Sequence, residues 1–111
     1  MQVSATVGKA YGHYPGNHYH DVHVYIKRKP SGRWVVGILD SWGCNQGDDQ
    51  KRGRKCVIGR GVSLDAALEQ AAQLASEANI NQEYLAQSLS QAASNAEEVL
   101  ETELKVEEAI P

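Results

Sequence analysis

Hydrophobic and polar residues alternate along the first half of the chain, with the period of two that is typical of half-buried strands. A first strand is predicted around Val3, Ala5 and Val7, and residues 11–17, which contain Pro15 and two glycines, are predicted to form a loop. The alternation returns from His18 to Ile26. One face of this strand would carry His20, Val22, Val24 and Ile26, and the other would carry Tyr19, Asp21, His23, Tyr25 and Lys27.

A turn is predicted at residues 30–32, because Pro-Ser-Gly is a common turn sequence. The next strand runs from Arg33 to Asp40 and directs Trp34, Val36 and Ile38 inward. Residues 41–55 have no apolar period and predict a long, exposed, basic loop. Residues 56–58 then predict a short fourth strand.

The second half of the chain has the three- and four-residue periodicity of helices. Ser63 is a suitable N-cap and Asp65 suits the first turn of a helix. The apolar stripe of this helix comprises Leu64, Ala67, Leu68, Ala71, Leu74, Ala75 and Ala78. Asn81 is predicted to cap a second helix that runs to about Leu104, and residues 105–111 are predicted to form a frayed acidic tail.

The apolar residues of the second helix alternate in steps of four and three, the seam pattern of a coiled coil. Two interpretations are open: the helix covers the sheet beside the first helix, or it forms the contact of a homodimer. The residues of this seam are Leu85, Leu89, Ala92, Ala96 and Leu100.

Together these elements predict a single α+β domain with an antiparallel sheet of three to four strands, in the order β-β-β-β-α-α, covered by helices on one face. Residues 1–62 form its sheet half and residues 63–104 its helical half. No apolar run is long enough to cross a bilayer and the first residues do not resemble a secretory signal, so a cytoplasmic location is expected.

Charge is divided between the two halves. Residues 1–60 hold ten of the eleven Lys and Arg against four acids, whereas residues 61–111 hold Lys105 against ten acids. Such an acidic helical half favours a basic protein partner. The candidate partner-binding residues are Glu69, Glu77, Glu83, Glu97, Glu98 and Glu101.

The basic half supports an alternative, the binding of nucleic acid, because rings that stack on bases are interspersed with cations. The candidate residues are Tyr19, His23, Tyr25, Lys27, Arg33, Lys51, Arg52, Arg54 and Lys55. Strand faces also carry Tyr and Lys for β propensity and solubility alone.

The histidines raise a third class, a metal-dependent enzyme. His18 and His20 point to one face of their strand and His13 could join them from the preceding loop, but the interpretation preferred here is hydrogen-bonded strand-edge rings without a metal. No nucleophile has a base placed beside it in the sequence, so no catalytic residue and no cofactor are predicted. Cys44 and Cys56 are expected to be free thiols in a reducing compartment, and a short-loop disulfide between them is the alternative if the protein is exported.

Three segments resemble HicB-type antitoxins: Gly32–Val36, Asp40–Cys44 and Gly61–Ala71, within a region of similarity spanning residues 19–78. The resemblance implies a partial RNase H-like fold without nuclease carboxylates, and a protein that neutralises a small ribonuclease toxin by covering it. Some small phage inhibitors of bacterial defence complexes have a similar plan. The leading hypothesis from the sequence is therefore a non-catalytic, inhibitory protein-binding module.

Overall fold

The computed structural model describes residues 5–16, 18–44 and 52–109 and confirms the α+β architecture. Four strands are followed by two helices: β1 (Ala5–Tyr14), β2 (His18–Arg28), β3 (Trp34–Cys44), β4 (Arg52–Gly61), α1 (Leu64–Glu77) and α2 (Gln82–Ala109). Each strand pairs antiparallel with the next, in the order β1-β2-β3-β4. Helix α1 packs on β4 and β3, and α2 packs on β1 and β2, so one face of the sheet is covered and the other is open.

The hairpin of β2 and β3 supplies the centre of the core, as its alternation predicted. Its inward side chains are fully buried: Val22, Val24, Ile26, Val36 and Ile38. The predicted turn closes it, with the Gly32 N–H donating to the Lys29 carbonyl at 2.9 Å and Gly32 at a φ of +87°. A positive φ is adopted by glycine without steric cost, which explains the Pro-Ser-Gly sequence at this point.

The predicted loop at residues 11–17 is wrong for its first four residues. β1 continues to Tyr14 and pairs with β2 as far as Tyr14 opposite His20. Tyrosine and histidine rings pack well on a pleated surface, and this pairing with β2 outweighs the turn signal of the nearby Pro15 and glycines.

The predicted loop at residues 41–55 is also too long. Ser41–Cys44 belongs to β3, and β4 begins at Arg52, so the fourth strand has ten residues instead of three. The centre of that predicted basic loop, residues 45–51, lies outside the described residues. The strands extend because each residue from Ser41 to Gly43 has a partner on β4, beginning with Gly43 opposite Arg52.

Side-chain caps define where the helices begin. The Ser63 Oγ accepts a hydrogen bond from the Ala66 N–H at 3.2 Å, and the Asn81 Oδ1 accepts from the N–H groups of Glu83 and Tyr84 at 3.0 and 3.1 Å. Such caps contribute about 0.5–2 kcal/mol each. Between the helices, Asn79 has a φ of +59° and Ile80 is buried, which anchors the connection in the core.

Each helix approaches an edge strand closely, because glycine faces alanine there. A Cβ atom on Gly8 of β1 would lie 2.5 Å from the Ala92 carbonyl oxygen of α2, and one on Gly59 of β4 would lie 2.5 Å from the Ala67 carbonyl oxygen of α1. The alanines at these contacts are fully buried. The helices therefore rest almost directly on the strand backbone.

The predicted dimer seam is occupied within the chain. Leu85 is 2% exposed and Ala92 and Ala96 are 0% exposed, while Leu89 and Leu100 are partly buried against the same core. The seam pattern thus corresponds to the first interpretation, a helix that covers its own sheet. Leu85, Ala92 and Ala96 are therefore buried against the chain's own sheet.

Helix α2 extends to Ala109, beyond its predicted end at about Leu104. Arg28 of β2 donates two hydrogen bonds to the carboxylate of Glu103, at 3.0 and 3.1 Å. In the described part of the chain, no helix combines the length and the apolar character needed to span a membrane.

Both edges of the sheet receive an amide side chain from the helix above them. Asn95 of α2 donates from Nδ2 to the Lys9 carbonyl of β1 at 2.9 Å. The Arg60 N–H of β4 donates to Oε1 of Gln70 of α1 at 2.6 Å. Backbone groups that point away from the sheet at these positions are therefore satisfied within the chain.

Candidate functional site

The open face of the sheet collects the outward side chains of all four strands. Residues directly opposite each other on antiparallel strands point to the same face, so the register defines its membership. It comprises Thr6, Lys9, Tyr11 and His13 of β1; Tyr19, Asp21, His23, Tyr25 and Lys27 of β2; Val35, Leu39 and Ser41 of β3; and Arg52, Arg54, Cys56, Ile58 and Arg60 of β4. We call this surface the open face.

A hydrogen-bonded cluster orders the rings at one side of the open face. The Tyr11 hydroxyl donates to Oδ1 of Asp21 at 2.8 Å, and His13 Nδ1 lies 2.6 Å from the same oxygen. The hydrogen bond with His13 lowers the pKa of Asp21, and the bond with Tyr11 adds to this effect while partial desolvation opposes it. The hydrogen bond to Asp21 in turn raises the pKa of Tyr11. Asp21 therefore fixes two rings and remains a carboxylate.

Three rings form a short ladder across β1 and β2. The centroids of Tyr11 and His23 are 4.6 Å apart, and those of His23 and Tyr25 are 6.1 Å apart with planes only 4° from parallel. Tyr11 is 60% exposed and Tyr25 is 37% exposed, so solvent reaches both rings. Rings with this exposure can stack on a planar ligand.

Cations surround these rings. Five exposed Lys and Arg side chains belong to the open face: Lys9, Lys27, Arg52, Arg54 and Arg60. On the described strands, Asp21 is the one acid of this face, and His13 and Tyr11 already bind it. The open face is therefore electropositive beside its aromatic residues.

Most of the residues predicted to bind nucleic acid come together here. Tyr19, His23, Tyr25, Lys27, Arg52 and Arg54 share the open face. Lys55 does not, because it follows Arg54 by one residue and points to the covered face, with its Nζ 5.6 Å from the centroid of the Trp42 ring. Arg33 is exposed in the connection before β3, and Lys51 lies outside the described residues.

The nucleic-acid prediction missed one tyrosine and two cations of this surface, Tyr11, Lys9 and Arg60. Tyr11 was assigned to a loop, although its position two residues before His13 continues the alternation. Lys9 and Arg60 lie on the edge strands, and the register alone brings them beside Tyr25 and Val35 respectively. That register depends on pairing between distant segments and has no local signature in the sequence.

The histidines considered as metal ligands do not converge. His13 binds Asp21 on the open face, whereas His20 points to the covered face and its Nδ1 lies 2.9 Å from Oδ1 of the buried Asp40. His18, at the start of β2, is exposed. Across residues 5–16, 18–44 and 52–109, no group of three or more His, Cys, Asp and Glu side chains is arranged to hold a metal ion.

On the covered face, the pair of His20 and Asp40 lies near a stack of two tyrosine rings. The centroids of Tyr14 and Tyr84 are 3.8 Å apart, and the ring of His20 lies 5.7 Å from Tyr84. Asp40 is only 3% exposed. Every buried side-chain nitrogen and oxygen in the described residues has a hydrogen-bond partner, so this polar group is a satisfied part of the core.

The acids predicted to bind a protein partner are all exposed on the helices: Glu69, Glu77, Glu83, Glu97, Glu98 and Glu101. Since the helices pack on the covered face, their layer and the open face lie on opposite sides of the sheet. Of these six acids, Glu98 borders the open face, because it lines a groove at the outer edge of β1 together with Lys9 and Tyr25.

Both cysteines are free, Cys56 being exposed and Cys44 half-buried.

Comparison of the chain with family models, curated proteins and solved structures gives no match in any of the three. The function must therefore be inferred from the residues themselves.

Proposed function

We propose that this protein binds single-stranded nucleic acid on the open face of its sheet. The observation that carries the proposal is the coincidence of five exposed cations with exposed Tyr11 and Tyr25 on one uncovered surface. Cationic side chains neutralise phosphates, and aromatic faces stack on bases of any sequence.

A single strand fits this surface better than a duplex does. In a duplex the base faces are already stacked on each other, whereas unpaired bases can be splayed onto protein rings. The open face offers Tyr11, His23 and Tyr25 within one short ladder, and both described helices pack on the opposite face of the sheet, away from a groove of a duplex.

The acidic helices do not oppose such binding strongly, despite the net charge of −3. Their layer lies across the sheet from the cations, and exposed charges separated by more than about 10 Å are largely screened at 0.1 M salt. Because Glu98 lies at the margin of the open face beside Lys9, it is the acid that we expect to weaken binding.

The proposal is tested by fluorescence anisotropy with labelled oligo(dT), oligo(U) and duplexes of equal length, over a series of salt concentrations. Two variants remove one positive charge each from neighbouring residues on opposite faces, Arg54→Gln and Lys55→Gln. We expect Arg54→Gln to weaken binding. The slope of log affinity against log salt concentration should become less steep by about 0.7, the value for one phosphate contact on a single strand. Lys55→Gln, which has the same net charge, should have little effect.

Equal losses in the two variants would mean that net charge and not the open face governs binding. Failure of every oligonucleotide to bind the unmodified protein at low salt would reject the proposal outright. Tighter binding of duplexes than of single strands would contradict the stacking role of the rings.

The exposed acids on the helices support a second proposal, the protein-binding or inhibitory role suggested by the resemblance to antitoxins. The six glutamates predicted to bind a partner are exposed there, and the neighbouring Glu103, also exposed, is bound by Arg28. A basic target such as the nucleic-acid groove of a ribonuclease would complement them. Retention of a purified ribonuclease of this class on the immobilised protein, and its loss in a Glu97→Gln, Glu98→Gln, Glu101→Gln variant, would support this role. Retention by that variant would contradict it.

A further inference from the structure

A shallow apolar groove lies within the open face, between the ring of Tyr25 on β2 and the side chain of Ile58 on β4. Val35, Leu39 and Cys56 complete its walls and Gly37 forms its floor. Its volume is about 230 Å³, and Ile58 is 41% exposed. Apolar side chains thus remain exposed to solvent in the middle of a surface that is otherwise polar and cationic.

The groove exists because residue 37 is a glycine. Gly37 is the cross-strand partner of both Tyr25 and Ile58, so its side chain would stand between them. A Cβ atom built there would meet no atom of the described residues within 4 Å. Gly8 and Gly59 make room for helices, whereas no residue within 5–16, 18–44 and 52–109 fills the space beside Gly37.

Three cations border the groove. Lys27 lines it directly, Lys9 is the cross-strand partner of Tyr25, and Arg60 is the cross-strand partner of Val35. Asp21 is on the same face, but it lies four residues from Tyr25 along β2 and is bound by His13. An apolar slot with a cationic border complements a ligand that has a flat apolar ring and a nearby negative charge.

We propose that this groove seats one nucleobase of a single strand on the ring of Tyr25, while Lys27, Lys9 and Arg60 hold the adjoining phosphates. The inference depends on the proposed nucleic-acid binding and identifies where a base is held. The Tyr25 hydroxyl lies 3.5 Å from His23 Nδ1 and the two rings are nearly parallel, so the orientation of the stacking ring is restrained.

Other occupants fit less well. A second copy of the chain would bring the same cations face to face, and like charges in contact are repulsive. A drug-sized ligand uses pockets of about 300–1,000 Å³, which exceeds the size of this groove. One ring attached to a phosphate chain matches both the volume and the charge.

The test compares two oligomers that carry the same phosphates, oligo(dT) and an abasic deoxyribose-phosphate chain of equal length, with oligo(U) added to compare RNA with DNA. We expect the unmodified protein to bind oligo(dT) at least about fivefold more tightly than the abasic chain, because stacking of one base on an aromatic ring is worth that much or more. The variant Gly37→Val fills the groove and should lose this preference while it still binds the abasic chain.

Two controls separate groove filling from other effects of the substitution. Thr6→Val replaces a hydroxyl by a methyl group on the same face, outside the groove, so it makes that position more apolar without filling the groove and should retain the preference. Gly37→Ala fills less of the groove and should retain part of it. Thermal unfolding of each variant, followed by circular dichroism, should give a transition at or above that of the unmodified protein.

Alkylation of Cys56 provides a second measurement, because this exposed thiol belongs to the groove wall. Oligo(dT) should slow its reaction with iodoacetamide severalfold, and the abasic chain should not. Equal binding of the two chains by the unmodified protein, unchanged in Gly37→Val, would reject the base-binding groove and leave phosphate binding intact. Failure of both chains to bind would reject the proposed function as well.

Discussion

The two faces of the sheet are built from alternate residues of the same four strands, yet they differ in almost every property. The covered face has buried aliphatic side chains on its central strands and glycine where the helices approach. The open face has rings, cations and Gly37, whose neighbouring space holds no atom of the described part of the chain. Arg54 and Lys55 illustrate the difference, since they are adjacent in sequence but face solvent and Trp42 respectively.

The comparison shows that composition alone does not define a surface in this protein. Both faces contain tyrosine, histidine, an aspartate and a basic residue. On the covered face Asp40 and His20 satisfy each other under the helices, whereas on the open face Asp21 holds His13 and Tyr11 in positions that solvent reaches. The same residue types therefore serve the core in one place and a candidate binding site in the other.

The largest difference between the faces should appear when valine replaces a glycine on each. Gly59→Val would force a side chain into the backbone of α1 and should lower the free energy of unfolding by about 2–3 kcal/mol. Gly37→Val, at a position with free space, should raise it by about 0.5 kcal/mol because glycine is unfavourable in a strand. Urea unfolding measures both. Equal destabilisation by the two substitutions would contradict the assignment of covered and open faces.

The two aspartates allow a second comparison. Asp40→Ala removes the partner of His20 in the core and should cost about 1–2 kcal/mol of the free energy of unfolding. Asp21→Ala removes an acceptor near the surface and should change it by less than about 0.5 kcal/mol. Thermal and urea unfolding of the two variants provide the measurement. A larger cost for Asp21 would mean that the open-face cluster is a structural core.

The boundary between the faces can be examined at α2. Glu98→Gln removes a negative charge next to Lys9 and should strengthen binding of oligo(dT) about twofold at low salt. Glu97→Gln removes the same charge one residue away and serves as the matched control, with a smaller expected gain. Anisotropy titrations at low and high salt measure both, and the difference should vanish at high salt. A larger gain for Glu97→Gln would refute the placement of Glu98.

The smallest expected effect is the pH dependence contributed by Asp21. Its pKa is lower in the folded protein than the ordinary value of 3.8, chiefly through the hydrogen bond with His13. A lowered carboxyl pKa stabilises the fold above the unfolded value, and this contribution is lost as the pH falls through the folded pKa. Asp21→Asn should therefore lose less stability than the unmodified protein between about pH 5 and pH 2. Urea midpoints at several pH values test this, and identical profiles would argue against the effect.

Sequence patterns predicted those parts of the fold that depend on local chemistry. The alternation of Val22, Val24 and Ile26 gave the central hairpin, and the caps at Ser63 and Asn81 gave the starts of both helices. By contrast, Tyr11–Tyr14 and Ser41–Cys44 were misassigned because their strand character depends on partners distant in the chain. Turn residues act within a few positions, whereas strand pairing is a long-range interaction.

The type of candidate site could be predicted from the sequence, but the full set of residues that form it could not. The mixture of tyrosines and basic residues indicated nucleic-acid binding, but Lys9 and Arg60 join this surface through the register alone. The spacing of Leu85, Ala92 and Ala96 likewise indicated an apolar contact without indicating whose surface it meets. The folded chain meets that contact with its own β1.

The side-chain amides of Asn95 and Gln70, bonded to the backbone of Lys9 and Arg60, have a consequence for self-association. An incoming strand from another molecule would have to displace an existing hydrogen bond at either margin before it could dock. At these two positions the addition of a further strand is therefore opposed, even though the edge strands are long and well paired. Lys9 and Arg60 are thus poorer pairing positions for a foreign strand than an unoccupied strand edge would be.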